Sequence, residues 1–269
     1  NTPELRLALF KDLTLSNIKK HKPLPVRRVF IPKPGTEELR PLGVPSIKDR
    51  VIQMIYKNAL EPEWEAIFEK GSYGFRPKRS VNDAINRIYL LLNSRTSRTW
   101  VLDADIAKCF DKISHDYLIQ KLQTFPGKDL IIKWLKAGIS LDSKWFSVEE
   151  GTPQGGVISP LLCNICLHGL EEELGMVYTS QGFVKQGSVV IIRYADDFIV
   201  LGYSKQEMIE IRNKLDLALS TRGLELSGKK TRICHICDGF DFLGFNIKVR
   251  PKRTSAFNKC ITKTAVGYD

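Results

Sequence analysis

The chain has 269 residues, 43% hydrophobic and 26% charged, with a formal net charge of +11 at pH 7. That is enough apolar material for one large or two smaller cores, and the sequence carries neither an apolar run of transmembrane length nor a signal-peptide pattern at Asn1. The basic excess points to a polyanion as partner, either nucleic acid or an acidic membrane.

Residues 1–45 are basic and proline-punctuated. Lys19, Lys20, Lys22, Arg27 and Arg28 precede VFIPKPGTEELRPLGVP, where two short apolar segments flank a Pro-Gly turn. This pattern predicts a β-hairpin presenting Lys33 and Arg40 near its loop. Ser46, with Asp49 at the capping-box position, opens a helix whose apolar stripe is Val51, Ile52, Ile55, Ala59 and Leu60. The glycine-hinged loop GSYGFRPKRS carries Arg76, Lys78 and Arg79. A second capping box, Ser80 and Asp83, starts a helix with the stripe Val81, Ala84, Ile85, Ile88 and Leu92.

Trp100 to Ile106 reads as a strand whose period of two puts Asp103 and Asp105 on one face. Helical segments are expected through about Ser140, a short strand over Phe146–Glu149, and a Gly/Pro-rich loop, GTPQGGVISP, entering an apolar helix from Leu161 to Glu173. Cys163/Cys166 and Cys234/Cys237 form two CxxC pairs, which could make a four-thiolate zinc site. The first pair is explained as well by an apolar helix and the second has no knuckle glycines, so zinc is disfavoured. Unpaired thiols indicate a reducing compartment, a bacterial cytoplasm ahead of an organelle, and not a secreted protein.

Val189 to Gly202, VVIIRYADDFIVLG, is an apolar strand, an acidic break at Asp196–Asp197, and a second apolar strand. An ordinary hairpin turn is one reading, since Asp favours turns. Two adjacent carboxylates in so apolar a setting are otherwise unfavourable by several kcal/mol unless paired or bound to a metal. A helix from Ser204 follows, with Met208, Ile211, Leu215 and Leu219 inward and Gly223 placed to end it. Then come a strand LELS, a basic turn Gly228–Lys229–Lys230, and the apolar run FDFLGFNI.

From Trp100 onward the order strand, helices, hairpin, helix, strand is the ferredoxin-like split βαβ order, an α+β fold with an antiparallel sheet backed by helices. In that order the first strand can lie beside the hairpin and bring Asp105 to Asp196 and Asp197. Three converging carboxylates suit Mg²⁺, with Mn²⁺ as a substitute. Two ions about 3.5–4 Å apart would clamp the attacking and leaving oxygens of a phosphoryl displacement.

At these residues the sequence resembles a known family. Tyr194-Ala195-Asp196-Asp197 is similar to the YxDD hairpin of reverse transcriptases, and Asp105 to Asp111 (DIAKCFD) to their first catalytic motif, with Ala107 and Cys109 varying its interior. LRPLGVPSIKDRVIQ, GSYGFRPKRSVNDAI, GTPQGGVISPLLCNI, GLELSGKKTRI and FDFLGF resemble blocks of the group II intron-encoded reverse transcriptases, or maturases. The resemblance implies a right-hand polymerase with fingers over 1–99, palm over 100–247, and a basic tail or linker over 248–269 toward an absent thumb.

It also implies roles. Asp105, Asp196 and Asp197 match the catalytic triad, and the Ile106 carbonyl a further metal ligand. Phe110 matches the aromatic gate that clashes with a ribose 2′-hydroxyl. Gln154 and Gly155 match the nucleotide-lining loop, Lys33 and Arg40 the triphosphate grip, and Lys230 a lysine near the leaving pyrophosphate. Lys19, Lys20, Lys22, Arg27, Arg28 and Arg76 are the RNA-binding candidates. Asp103 shares the strand face but lies outside the motif's register.

The implied activity is RNA-directed DNA synthesis on intron RNA, with a DNA primer, dNTPs and Mg²⁺, together with intron binding that assists splicing. The family offers precedent for a homodimer through the fingers, and no membrane partner is expected. Three alternatives stay open on the residues. One is a non-enzymatic RNA-binding splicing cofactor, and another is a CRISPR-associated or other group II-derived reverse transcriptase. The third is an RNA-dependent RNA polymerase, which Phe110 disfavours because those enzymes commonly place an Asp there.

Overall fold

The structure, a computed structural model, describes residues 2–32, 37–92, 98–142, 144–181, 183–185, 189–251 and 257–263. They belong to two compact units, each assembled from two separate stretches: Asn1–Ile67 with Lys108–Cys166, and Phe68–Ala107 with Leu167–Asp269.

Helices α1 (Pro3–Asp12) and α2 (Leu15–Lys19) start on Thr2 and Thr14, whose hydroxyls accept first-turn amides. The predicted hairpin forms as β1 (Val26–Pro32) and β2 (Leu39–Val44), antiparallel, with Arg40 opposite Ile31. Lys33 lies outside the described residues. Helix α3 (Ile47–Glu65) starts at Ser46, whose hydroxyl accepts the Asp49 amide at 3.1 Å. Helix α4 (Val81–Leu92) follows the Ser80–Asp83 box, and strand β3 (Trp100–Asp105) follows in turn.

Three short helices come next, α5 (Cys109–Lys112), α6 (His115–Lys121) and α7 (Lys128–Leu135). The helical stretch ends before Ser140 because Gly138 takes φ +80° and turns the chain into a tight hairpin, β4 (Ile139–Leu141) and β5 (Lys144–Phe146). The strand expected at Phe146–Glu149 is therefore earlier in the chain. The apolar helix expected over Leu161–Glu173 is two helices, α8 (Ser159–Leu167) and α9 (Leu170–Glu173), interrupted where Gly169 adopts φ +100°.

Strands β6 (Val190–Tyr194) and β7 (Asp197–Gly202) and helix α10 (Lys205–Ser220) follow as expected. LELS makes a single bridge, Leu226 to Ile106. The Ser227 carbonyl then accepts the Lys230 and Thr231 amides, and this turn sends the chain back as β8 (Arg232–His235), the true sheet strand. The run FDFLGFNI is split by Leu243 and Gly244, both at positive φ, into β9 (Phe240–Phe242) and β10 (Phe245–Pro251), which pairs with β11 (Phe257–Lys263). Lys248 and Arg250, expected in a tail, are part of β10.

In the first unit the sheet order is β2-β1-β4-β5, with β1 and β4 parallel. Helix α3 buries Asp49, Ile52, Gln53, Leu60 and Trp64, while Ile55 is 42% exposed. The expected stripe is thus rotated onto two polar residues, each of which finds partners. Asp49 accepts from Ser46 Oγ (2.6 Å), Trp134 Nε1 (3.0 Å) and the Leu24 amide (3.4 Å) and lies 2.7 Å from His21 Nε2. Burial pushes its carboxyl up, but these bonds outweigh that and hold it below the usual range. Gln53 Oε1 accepts the Val157 amide at 2.9 Å, tying the GTPQGG loop to α3.

In the second unit the main sheet is β6-β7-β3-β8, antiparallel throughout. Taken in chain order the strands are the first, second, third and fourth at β3, β6, β7 and β8, which is the ferredoxin-like arrangement. Helix α4 packs on β6, and α10 on β3, β7 and β8. Phe198, Ile199, Val200 and Leu201 are fully buried, each contributing about 1.5–3 kcal/mol by leaving water. The acidic turn therefore projects from a rigid strand pair.

Candidate active site

Register decides where the carboxylates go. Pairing of β3 with β7 sets Asp105 opposite Asp197 at the end of the ladder. Tyr194 pairs with Asp197 across the hairpin, leaving Ala195 and Asp196 as the turn, with Ala195 in the left-handed region at φ +59°. Asp105 and Asp197 line one cavity of about 400 Å³ with Asp103, Lys230, Arg232 and Asp241.

The charge balance there is uneven. Lys230 Nζ lies 3.1 Å from Asp105 Oδ2, and Arg232 Nε lies 2.9 Å from Asp103 Oδ2. The Asp103 carboxyl is pushed up by burial, which its bond to Arg232 only partly offsets. Asp197 reaches solvent on one side, yet crowding on the cleft side removes water from its carboxyl. That desolvation, a hydrogen bond with Asp105, and the charges of Asp196 and Asp105 push it to about 7, against the pull of Lys230. At Lys230 burial acts downward, but its bond to Asp105 and the neighbouring carboxylates hold the ammonium above its ordinary value.

Among the described residues no three His, Cys, Asp or Glu side chains are drawn together closely enough to ligate an ion by themselves. Asp105 and Asp197 meet, and half-buried Asp196 immediately precedes Asp197 on the turn. The donor set still fits a hard divalent cation, because it is all carboxylate oxygen and its negative charge is so poorly compensated that a proton is retained near neutrality. Bonds from Ala107 N to Glu225 O (2.9 Å) and from Ser227 N to Asp105 O (2.8 Å) brace β3 past Asp105, and neither uses the Ile106 carbonyl.

The remaining candidates divide between the units. Arg40, Phe110, Gln154 and Gly155 belong to the first. There the Gln154 carbonyl accepts the Gly43 amide at 2.6 Å, and the Phe110 carbonyl accepts the Thr152 amide at 2.6 Å, so one loop is pinned to both β2 and α5. Gly155, at φ +108°, faces the Gly43 carbonyl, which lies 3.1 Å from where a Cβ would stand. Arg40, Lys19, Lys20, Lys22 and Arg27 are exposed, and Arg28 is half-buried. Arg76 is 7% exposed, donates to the Glu69 (2.7 Å) and Ser72 (3.0 Å) carbonyls, and stacks over Phe68, so its guanidinium is engaged in building its own loop.

A buried polar group behind the hairpin escaped the sequence reading. Arg193, on β6 and 1% exposed, bonds the Ala195 carbonyl at 3.2 Å and lies 3.6 Å from Glu69. Glu69 Oε1 accepts the Gly169 (2.9 Å) and Glu171 (2.7 Å) amides, while Glu171 accepts from the Gly71 amide (2.6 Å) and Tyr178 Oη (2.6 Å). Burial raises the Glu171 carboxyl. The readable signal was an arginine inside VVIIRYADDFIVLG.

The family model described as reverse transcriptase (RNA-dependent DNA polymerase) matches residues 31–247. The protein YkfC of Escherichia coli is 35% identical over 274 residues, covering 90% of this chain and 71% of its own length. The group II intron-encoded protein LtrA of Lactococcus lactis subsp. cremoris is 32% identical, covering 86% of this chain and 48% of LtrA. A putative COX1/OXI3 intron 1 protein of Saccharomyces cerevisiae is 31% identical over 90% of this chain and 35% of its own. The chain thus spans half or less of the two intron proteins. Among solved structures, telomerase of Candida tropicalis with a fragment of telomeric RNA superposes with TM-score 0.63 at 15% identity, covering 99% of this chain and 49% of that one, a likeness of fold. Motifs, sheet order and relatives agree, and the chain belongs to the reverse transcriptase (RNA-dependent DNA polymerase) family, in its group II intron-encoded branch.

Proposed function

We propose that this chain is the fingers–palm part of an RNA-directed DNA polymerase that copies intron RNA into cDNA from a DNA primer and dNTPs. The observation that carries the reading is the facing of Asp105 and Asp197 across β3 and β7 with Asp196 on the adjoining turn. The family uses divalent metal ions. Here Asp105, Asp196, Asp197 and the Ile106 carbonyl would hold Mg²⁺, as a pair of ions, which supplies Lewis acidity toward the reacting phosphate.

In that reaction the primer 3′-oxygen bonds to the α-phosphorus, the α–β bridging P–O bond breaks, pyrophosphate departs and the hydroxyl proton passes to water. Lys230, kept cationic by its acidic neighbours, offers a proton donor to the departing pyrophosphate. Arg40 grips the triphosphate, Gln154 and Gly155 line the nucleotide, and Phe110 excludes a 2′-hydroxyl. The exposed Lys19, Lys20, Lys22 and Arg27 bind intron RNA through its phosphates and assist splicing. A homodimer through the fingers rests on the family resemblance alone.

The test is extension of a DNA primer on an RNA template by the full-length protein with dNTPs and Mg²⁺. Asp196→Ala should abolish extension with the thermal midpoint nearly unchanged. Wild-type protein that makes no cDNA beside an active control, or an Asp196→Ala variant that extends at the wild-type rate, overturns the reading.

A further inference from the structure

Burying a guanidinium is unfavourable unless its partners are in place, so an arginine at 1% exposure within a strand of apolar residues calls for a reason. Arg193 is bonded to the acidic turn and to the segment that backs it. One guanidinium nitrogen donates to the Ala195 carbonyl at 3.2 Å, and another lies 3.6 Å from Glu69 Oε2. Its amide donates to the Gly71 carbonyl and its carbonyl accepts from the Tyr73 amide, both at 2.8 Å, so residues 71–73 run along β6 as a short parallel edge. Glu69 is itself immobilised, since its other oxygen holds the Gly169 and Glu171 amides.

The residue that Arg193 grips is the strained one. Ala195 stands at φ +59°, a region an L-residue enters only when its surroundings hold it there. Gly74 closes the same turn from the other side, where a side chain would run into the Ala195 amide nitrogen and the Tyr194 carbonyl carbon. The Ala195 carbonyl belongs to the peptide that joins Ala195 to Asp196. Whatever fixes that plane fixes the direction from which the Asp196 and Asp197 side chains leave the backbone.

We propose that Arg193, anchored by Glu69 and backed by Gly74, is a positioning residue that locks the Ala195–Asp196 peptide and so aims the turn's two carboxylates. This role rests on the polymerase reading for its consequence in catalysis, while its geometric content is measurable without catalysis. Lysine at 193 keeps the charge but gathers its donors on one nitrogen and loses the rigid planar fork that meets Ala195 and Glu69 from separate nitrogens.

The experiment uses full-length protein carrying Arg193→Lys, Glu69→Gln or Gly74→Ala. Four quantities are measured: kcat and KM for primer extension, primer–template affinity, Mn²⁺ affinity without nucleotide from the EPR signal of the free ion, and the thermal midpoint. Each variant is expected to lose roughly 10- to 100-fold in kcat with primer–template affinity unchanged, and to bind Mn²⁺ more weakly. Arg193→Lys with wild-type kcat and Mn²⁺ affinity overturns the proposal. So does an activity loss that matches the unfolded fraction while the folded molecules bind Mn²⁺ normally, because that marks a purely structural role. Should Arg193→Lys fail to fold, Glu69→Gln, which preserves shape, is read by the same measures. Wild-type protein without extension overturns the polymerase reading, and the Mn²⁺ comparison then still decides the positioning role.

Discussion

Asp197 should make the metal-free protein less stable than it could be. Its carboxyl moves from 3.8 to about 7 on folding. The folded state therefore keeps a proton that the unfolded chain releases, and stability falls as pH rises from about 4 to about 7, then levels off. At about 1.4 kcal/mol per pKa unit the ceiling is about 4 kcal/mol. The side chain reaches solvent, so screening reduces the expected effect to about 1–2 kcal/mol. Asp197→Asn removes the ionisation and retains a hydrogen-bonding shape. In the presence of EDTA it should raise the thermal midpoint by about 2–6 °C at pH 8, have little effect near pH 4, and flatten the slope between. Millimolar Mg²⁺ should raise the midpoint of the wild type more than that of the variant. The assay is thermal unfolding across pH. If Asp197→Asn is destabilised at pH 8, or keeps the wild-type slope between pH 4 and 7, the account of this carboxyl is wrong.

Two further outcomes test the nucleotide and RNA assignments. Phe110→Ala should raise rNTP incorporation relative to dNTP by at least about tenfold, read as the ratio of kcat/KM values, and an unchanged ratio removes Phe110 from the gate role. Replacing Lys19, Lys20 and Lys22 together by Ala should reduce the salt dependence of RNA binding by a slope of about 2–3, measured by titration at several salt concentrations. Arg76→Ala should leave that slope unaltered and lower the thermal midpoint, since its guanidinium is occupied by loop carbonyls.

Elements with strong local signals were legible in the chain. The Ser46, Ser80 and Ser204 caps, the β-branched run before Asp196 and the alternation over Trp100–Asp105 all form where expected, and the strand order led directly to the facing of Asp105 and Asp197. Some departures come from positive-φ turns, at Gly138, Gly169 and Leu243–Gly244, and others from tertiary partners overriding local pattern. Asp49 and Gln53 take inward positions on α3 that periodicity assigns to apolar residues, because Trp134 and the Val157 amide wait for them. LELS has the composition of a strand, but the turn after Ser227 leaves it one bridge and gives the sheet position to Arg232–His235. The burial of Arg76 was not legible, because exposure cannot be read from a basic residue's identity. Arg193 went unread in the chain, because its counter-ion, Glu69, is far away in sequence and bears no motif.

The interleaving of the two units has a consequence for synthesis of the protein. The first unit has all its residues once Cys166 has left the ribosome, whereas residues 68–107 must wait for the stretch from Leu167 onward. Strand β3, which carries Asp105, finds its neighbours in β7 and β8, so both of its edges stay open while nearly a hundred further residues are translated. An apolar strand in that state is a template for intermolecular pairing. Yield of this protein should therefore respond to elongation rate and to chaperones that shield nascent strands, and truncation before β7 should give aggregation in place of a smaller soluble piece.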